Sequence, residues 1–360
     1  MIPRWPCTCR WGRRRDPARG AAVGAVLAGL LSAIPPLAAA PGGLGGGAPA
    51  ADGGREATFT ALTLENDWLT AAGADRWYTG GIKLSWATEE RPPPRWLQRA
   101  GALAPGLAVG AGALWGLSLE QRTFTPADIT DPALPPADRP YAGWLNLSLE
   151  IAERSPASLG RLRLGIGITG EPSLARQNQE ATHDLLDSDE PVGWGTQLPA
   201  EPTFQVAYDR QWLLCRGLLA GPLAYRLSTA AGAALGTALT QAGAGASVAL
   251  GQRLPRDFGP PRITAAPAGS LYFDSGARHG WYLSLGANAR LVAHDLFLDG
   301  NVFRDSPAVD RRPGLVEGYL GLVYYAGRLR LSMTWVHRSE AFEGQREPQE
   351  FGTATLTWAH

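Results

Sequence analysis

From Thr58 to Trp86 the chain reads TFTALTLENDWLTAAGADRWYTGGIKLSW, two alternating runs separated by a polar interruption. In the first run Leu62 and Leu64 share one face, and Thr63, Glu65 and Asp67 share the other. In the second, Ile82, Leu84 and Trp86 oppose Thr79, Lys83 and Ser85. Period-two alternation marks strands with one apolar and one polar side. The polar side carries carboxylates and a lysine, which a water-lined interior tolerates and a dry core does not. The same pattern recurs over Leu114–Arg122, Leu145–Ala152, Arg161–Thr169, Thr203–Trp212, Pro222–Ala233, Ala242–Gly251, Gly280–Val292, Leu315–Ala326, Arg328–His337 and Glu350–His360. The pattern predicts an all-β fold: a twelve-stranded antiparallel transmembrane β-barrel, apolar faces toward lipid.

Parity orders the connections. With a periplasmic N-terminus, loops 67–76, 124–142, 171–201, 234–241, 293–314 and 339–349 fall outside. Loops 89–113, 153–160, 213–221, 252–279 and the turn at Gly327 fall inside. Two of the inner connections are long for such a barrel. The stretch His294 to Phe303 resembles a strand, but thirteen strands would break the parity, so it belongs to an outer loop. A short helix is expected over Ser173–Leu186, after Pro172. A helical membrane span would have to use Leu227 to Gly251, a run rich in small residues and broken by Gln241.

The alternation alone also suits a soluble sandwich, and the N-terminus decides against that. Arg10, Arg13, Arg14, Arg15 and Arg19 precede an apolar run from Ala21 to Leu31 and the small residues Leu37-Ala38-Ala39-Ala40, the layout of a secretory signal peptide over 1–40. Residues 41–57 read as a flexible Gly/Ala/Pro segment, and 58–360 as the barrel. Loss of 1–40 takes six arginines and one aspartate from 33 basic and 33 acidic residues, leaving a net charge of −5. Nothing in that balance suggests nucleic acid. Cys7 and Cys9 leave with the leader, so Cys215 stands alone, without a disulfide or a cysteine metal cluster. Of 13 tryptophans, Trp5 and Trp11 are lost, and those remaining suit the aromatic girdles of an outer-membrane barrel.

Three polar segments fall at the same end: Glu65-Asn66-Asp67 with Asp75-Arg76-Trp77-Tyr78-Thr79-Gly80; Gln121-Arg122-Thr123 with Asp138-Arg139; and Gly170 through His183 and Asp189 to Trp194 and Gln197. Ester hydrolysis needs a base for water and a centre for the oxyanion. His183 suits the first task. Asp67 and Asn66 are hard oxygen ligands fit for Ca2+, and Thr79 could orient water or donate to the oxyanion. No G-x-S-x-G elbow supports a serine nucleophile. Without further support, Asn66-Asp67 reads as a turn and His183 as a surface residue. Asp75-Arg76 and Asp138-Arg139 read as ion pairs or turn anchors inside the mouth. Glu120, Arg122, Glu150, Arg161 and Arg163 read as a lumen charge network, and His279, His294 and His337 show no metal spacing.

In order along the chain, ENDW…DRWYTGGIKLSW, QRTFTPADI, DRPYAGWL, GEPSLARQNQEATHDLL, PVGWGTQL and FLDGNVFRDS resemble the outer-membrane lipid A 3'-O-deacylases, over about 58–360. The resemblance implies a twelve-stranded barrel in the bacterial outer membrane. It would hydrolyse an ester-linked acyloxyacyl chain of lipid A in the outer leaflet, with a Ca2+ requirement. Its working positions fall on Asn66, Asp67, Thr79 and His183, with Asn66 and Asp67 toward the metal and Asp189 near an acidic position. Gln121 and Lys83 are candidates for support of substrate or mouth. The family's basic pair after strand three is missing from Asp128 to Asp138, which bears on substrate handling. The competing readings are a non-enzymatic barrel, as a narrow pore or structural protein, and a phospholipase on the same scaffold. Oligomeric state is not indicated.

Overall fold

The structure is a computed structural model describing residues 58–70, 75–88, 93–104, 107, 113–133, 135–255, 257–263, 269–273 and 279–360. The expected signal peptide (1–40) and flexible segment (41–57) lie outside the described residues. Twelve antiparallel strands close into one barrel: β1 (Thr58–Asn66), β2 (Trp77–Thr88), β3 (Ala113–Thr125), β4 (Ala142–Arg154), β5 (Ser158–Thr169), β6 (Pro202–Ala220), β7 (Leu223–Gly236), β8 (Leu239–Gln252), β9 (His279–Asp295), β10 (Gly314–Ala326), β11 (Leu329–Arg338) and β12 (Gln349–Ala359). β12 closes on β1 with Phe59 opposite Ala359 and Asn66 opposite Gly352. Three helices decorate the connections: α1 (Arg95–Gly101), α2 (Ala175–Leu186) and α3 (Leu296–Asp299). No described helix is long and apolar enough to cross a membrane, and the stretch Leu227 to Gly251 is the β7–β8 hairpin.

Two expected loops prove to be strand. β6 continues to Ala220 and turns into β7 at Gly221 (φ 51°), so 213–221 is one arm of a hairpin. Between β7 and β8 only Thr237 and Ala238 remain of the loop expected over 234–241. Neither extension alternates: 213–220 reads LLCRGLLA, with leucines in adjacent pairs, and 234–241 reads ALGTALTQ.

The faces sort as a bilayer requires. Leu62, Leu64, Ile82, Leu84, Leu117, Leu119, Leu147 and Ile166 stand exposed on the outer wall. Buried polar groups fill the lumen, where Glu120 meets Arg122 at 2.8 Å and Lys83 at 3.5 Å, and Asp209 meets Arg161 at 2.7 Å and Arg163 at 2.8 Å. Glu150 lines a cavity of about 50 Å³ with Lys83, Arg161 and Arg163. Removing one partner of such a buried pair costs about 3–5 kcal/mol, because the other charge is left uncompensated.

Both ends of the lumen are closed. At one rim α3 turns Leu296 and Phe297 inward against Tyr78, Phe124, Trp144, Val336 and Phe351. At the opposite rim the β8–β9 connection packs Tyr272 and Phe273 against Phe59, Leu114 and Leu159. Its described residues, 253–255, 257–263 and 269–273, lie against the inner face of the barrel. Arg226 donates to the Pro255 carbonyl, Arg161 to that of Gly269, and Arg330 to that of Ser270. Asp257 lies between Arg226 at 2.9 Å and Arg330 at 3.3 Å. A packed lumen is poor support for a pore. Purified protein in planar bilayers is therefore expected to give no porin-sized conductance steps; a steady open channel would contradict the packing.

Candidate active site on the outer wall

The outer row of β1 runs Leu62, Leu64, Asn66, so Asn66 ends a lipid-facing row at the rim. Its Oδ1 accepts from the Trp68 amide at 2.8 Å and caps a 3-10 turn, Asp67–Leu69. A side chain at Gly352 would strike Leu69, so this glycine lets the turn lie against β12.

β2 carries the decisive irregularity. Tyr78 pairs with Phe124 and Gly80 with Thr123, leaving Thr79 as the extra residue of a β-bulge. Strict alternation puts Thr79 beside Lys83 and Ser85 in the lumen. The bulge instead turns Tyr78 inward and Thr79 outward. Thr79 Oγ1 lies 2.6 Å from Thr125 Oγ1, on the outer face of β3 that also carries Leu117, Leu119 and Gln121. Thr125 in turn donates to the Asp75 carbonyl at 3.0 Å.

Helix α2 covers this patch from outside. Ala175, Gln179 and His183, spaced four apart, form its buried stripe. Gly143 on β4 makes the close approach possible, because a Cβ there would sit 2.1 Å from Ser173 Oγ and 2.4 Å from Ala175 Cβ. Gln121 Nε2 donates to the Ser173 carbonyl at 2.7 Å and pins the start of the helix.

His183 has an oxygen beside each ring nitrogen. Nδ1 lies 2.5 Å from the Asp189 carbonyl oxygen, which can only accept, so Nδ1 carries the proton and Nε2 the lone pair. Nε2 faces Asp75 Oδ1 at 3.6 Å. Burial lowers the histidine's pKa, but Asp75, the Asp189 carbonyl and the charge of Asp67 outweigh it, and the net shift is above the ordinary histidine value. Asp67 is buried; burial and then the charge of Asp75 raise its pKa well above the usual carboxylate range, against the opposing Arg76 amide bond. Its Oδ2 accepts that amide at 2.8 Å, while Oδ1 is buried with no partner. The arrangement is an imidazole and two carboxylates next to a hydroxyl, with one carboxylate oxygen of Asp67 unpartnered.

The sequence-predicted residues fare differently. Asn66, Asp67, Thr79 and His183 come to one rim, on the outer wall and not inside the mouth. Asp189 contributes its backbone carbonyl. Gln121 positions α2. Lys83 lies in the lumen against Glu120, four residues down β2, and is not a mouth residue. Asp75, expected to be a turn anchor, is the carboxylate facing His183, and Arg76 pairs with Glu347 at 2.8 Å. Of the two readings of Asp138-Arg139, ion pair or turn anchor, the structure shows the second. The Asp138 carboxylate accepts from the Ala127 and Arg139 amides, and the Arg139 guanidinium lies over Phe124. Gln179 was missed; its Oε1 accepts from Trp194 Nε1 at 2.9 Å and its Nε2 is buried without a partner. The spacing Gln179–His183 on the expected helix was the available signal.

Among the described residues, the fold is a closed twelve-stranded barrel of the outer-membrane class that carries a cluster of polar groups on its outer face at one rim, beneath a loop helix. The chain belongs to the LpxR family: the family model described as "Outer membrane protein LpxR" matches residues 26–360. Among solved structures, LpxR from Salmonella typhimurium superposes with a TM-score of 0.68 at 16% identity, covering 83% of this chain and 99% of that one. The β domain of the Bordetella autotransporter BrkA reaches a TM-score of 0.38 at 11% identity, covering 84% of this chain and 98% of that one. The KdgM porin reaches 0.32 at 5%, also covering 84% and 98%. A search of curated proteins finds no match.

Gly143→Val is expected to push α2 off the wall while the barrel still folds. The check is limited trypsin digestion: cleavage at Arg176 should accelerate several-fold with the heat-modifiable gel shift unchanged. An unchanged cleavage rate would contradict the close approach.

Proposed function

We propose that this protein is an outer-membrane hydrolase that removes the 3'-linked acyloxyacyl chain of lipid A, working from the outer leaflet. The observation that carries the reading is the place of the His183–Asp75–Asp67 cluster. It sits outside the wall, directly above Leu62 and Leu64, where a lipid's ester linkages meet water.

Two acceptors, His183 Nε2 and Asp75 Oδ1, face one another, and a water donating to both relieves that opposition. Attack of this water on the ester carbonyl passes its proton to His183. The imidazolium, held by Asp75, then returns the proton to the departing sugar oxygen, leaving a free fatty acid and a hydroxyl. The unpartnered Gln179 amide donates toward the developing oxyanion from beneath α2, and Thr79, whose proton goes to Thr125, offers its lone pairs to orient the attacking water. Ca2+ is the proposed cofactor, and the residues fit it in part. Asp67 Oδ1 is a buried carboxylate oxygen without a partner, whereas Asn66 Oδ1 already accepts one bond and has one lone pair left. Among the described residues no three His, Cys, Asp or Glu side chains are arranged to hold a metal ion, so Asp67 would hold the ion with Asn66 while water and substrate oxygens complete the shell. Bound there, the ion would supply positive charge for the oxyanion.

Lipid A from cells expressing the protein is expected to lose one acyloxyacyl unit by mass spectrometry. His183→Ala should reduce the rate about 10²–10⁴-fold. Chelation should abolish activity and added Ca2+ restore it. Intact lipid A with release of lysophospholipid would make it a phospholipase instead; an unchanged lipid profile from folded, surface-located protein would remove the hydrolase reading. The free imidazole is the working form, so activity should climb as pH rises through a pKa above the ordinary histidine value. Asp75→Asn should move that limb to lower pH, and an unmoved limb would rule out Asp75 as the charge facing His183.

A further inference from the structure

The bulge that turns Thr79 outward has a competitor: the same strand with regular alternation, Thr79 inward and Tyr78 toward lipid. Something inside the barrel must favour the bulged form. Tyr78 Oη donates to Glu65 Oε2 at 2.7 Å, across the β1–β2 pair. The other oxygen of Glu65 accepts the Ile263 amide at 2.7 Å and the Thr353 hydroxyl at 3.1 Å. Ile263 belongs to the β8–β9 connection, which enters from the opposite rim, and its own carbonyl accepts from Arg122 at 3.1 Å. A side chain at Gly81 would come within 2.8 Å of Tyr78 Oη and 3.2 Å of Ile263 Cδ1, so glycine there leaves room for both. Glu65, on β1, is buried, and its three partners come from β2, β12 and the lumen connection. It immediately precedes Asn66-Asp67 in sequence, and Tyr78 immediately precedes Thr79.

We propose that Glu65 is a positioning residue: with Tyr78 and the Ile263 amide it forms a clamp inside the lumen that sets the β2 bulge and so holds Thr79 on the outer wall. The lumen connection thereby acts on a site on the other side of the barrel wall. The kinetic half of the test rests on the deacylase reading above; the structural half does not.

With Cys215 replaced by Ser, the pair Thr79→Cys and Thr125→Cys should form a disulfide, since the two hydroxyls touch in the bulged form. Adding Glu65→Ala is expected to lower the cross-link yield several-fold, and Glu65→Gln, which still accepts and can pair with Tyr78, should restore it. Tyr78→Phe removes only the bond to Glu65, and carries the test should Glu65→Ala not fold. In single variants without the added cysteines, Glu65→Ala and Tyr78→Phe should lower kcat for acyl release about tenfold with KM unchanged, again with rescue by Glu65→Gln. Wild-type cross-linking in both Glu65→Ala and Tyr78→Phe would overturn the clamp, as would a fall in kcat without a fall in cross-linking. A fall in cross-linking in a protein whose parent releases no acyl chain would uphold the clamp and overturn the functional reading alone.

Discussion

A barrel in a bilayer can face lipid only with apolar side chains. A polar group on its outer wall is tolerated at a rim, and buried there only under cover. The site described here meets both conditions. Asn66 and Thr79 stand at the ends of apolar rows, and α2 shields them from the side. Gly143 is the concession that lets the helix lie against the wall, and Gln121, an outward residue at a position otherwise given to leucine, fastens it. Once covered, the two carboxylates and the imidazole lose much of their hydration. Their charges then act on one another strongly, which raises the proton affinity of both Asp67 and His183.

The lumen answers a different demand. Its polar faces cannot meet a dry core, so they are paired: Glu120 with Arg122 and Lys83, Asp209 with Arg161 and Arg163. The β8–β9 connection satisfies further arginines through its carbonyls, and so the inside of the cylinder becomes a second support for the wall. Function at the lipid boundary and rigidity in the lumen are joined at β1 and β2, whose inner residues Glu65 and Tyr78 are neighbours in sequence of the outer residues Asn66 and Thr79.

The strands were legible because a lipid face and a water-lined face leave a period of two, and that period survives in each of the clear segments. Where leucines fall in adjacent pairs, in β6 beyond Trp212, and where both faces carry small residues, through the Ala/Gly run of β7 and β8, the period fades, and strand was read as loop. His183, Asp67, Asn66 and Thr79 could be named from residue type and from the family resemblance, but their side of the wall could not. Asp75 went unnoticed as a partner because an Asp-Arg pair in a short loop looks like a turn.

Sequence alone determined the barrel, its strand number and that the polar loops share one end, since alternation and counting give the strands, and the N-terminal segment and the family resemblance argue against a soluble sandwich. Tertiary structure alone decided that Thr79 faces out, that the described part of the long connection lies in the lumen, and that His183 meets Asp75. A bulge reverses parity by a single residue, and its location is chosen by contacts such as Glu65 to Ile263, 198 residues apart. No local pattern records a contact of that range.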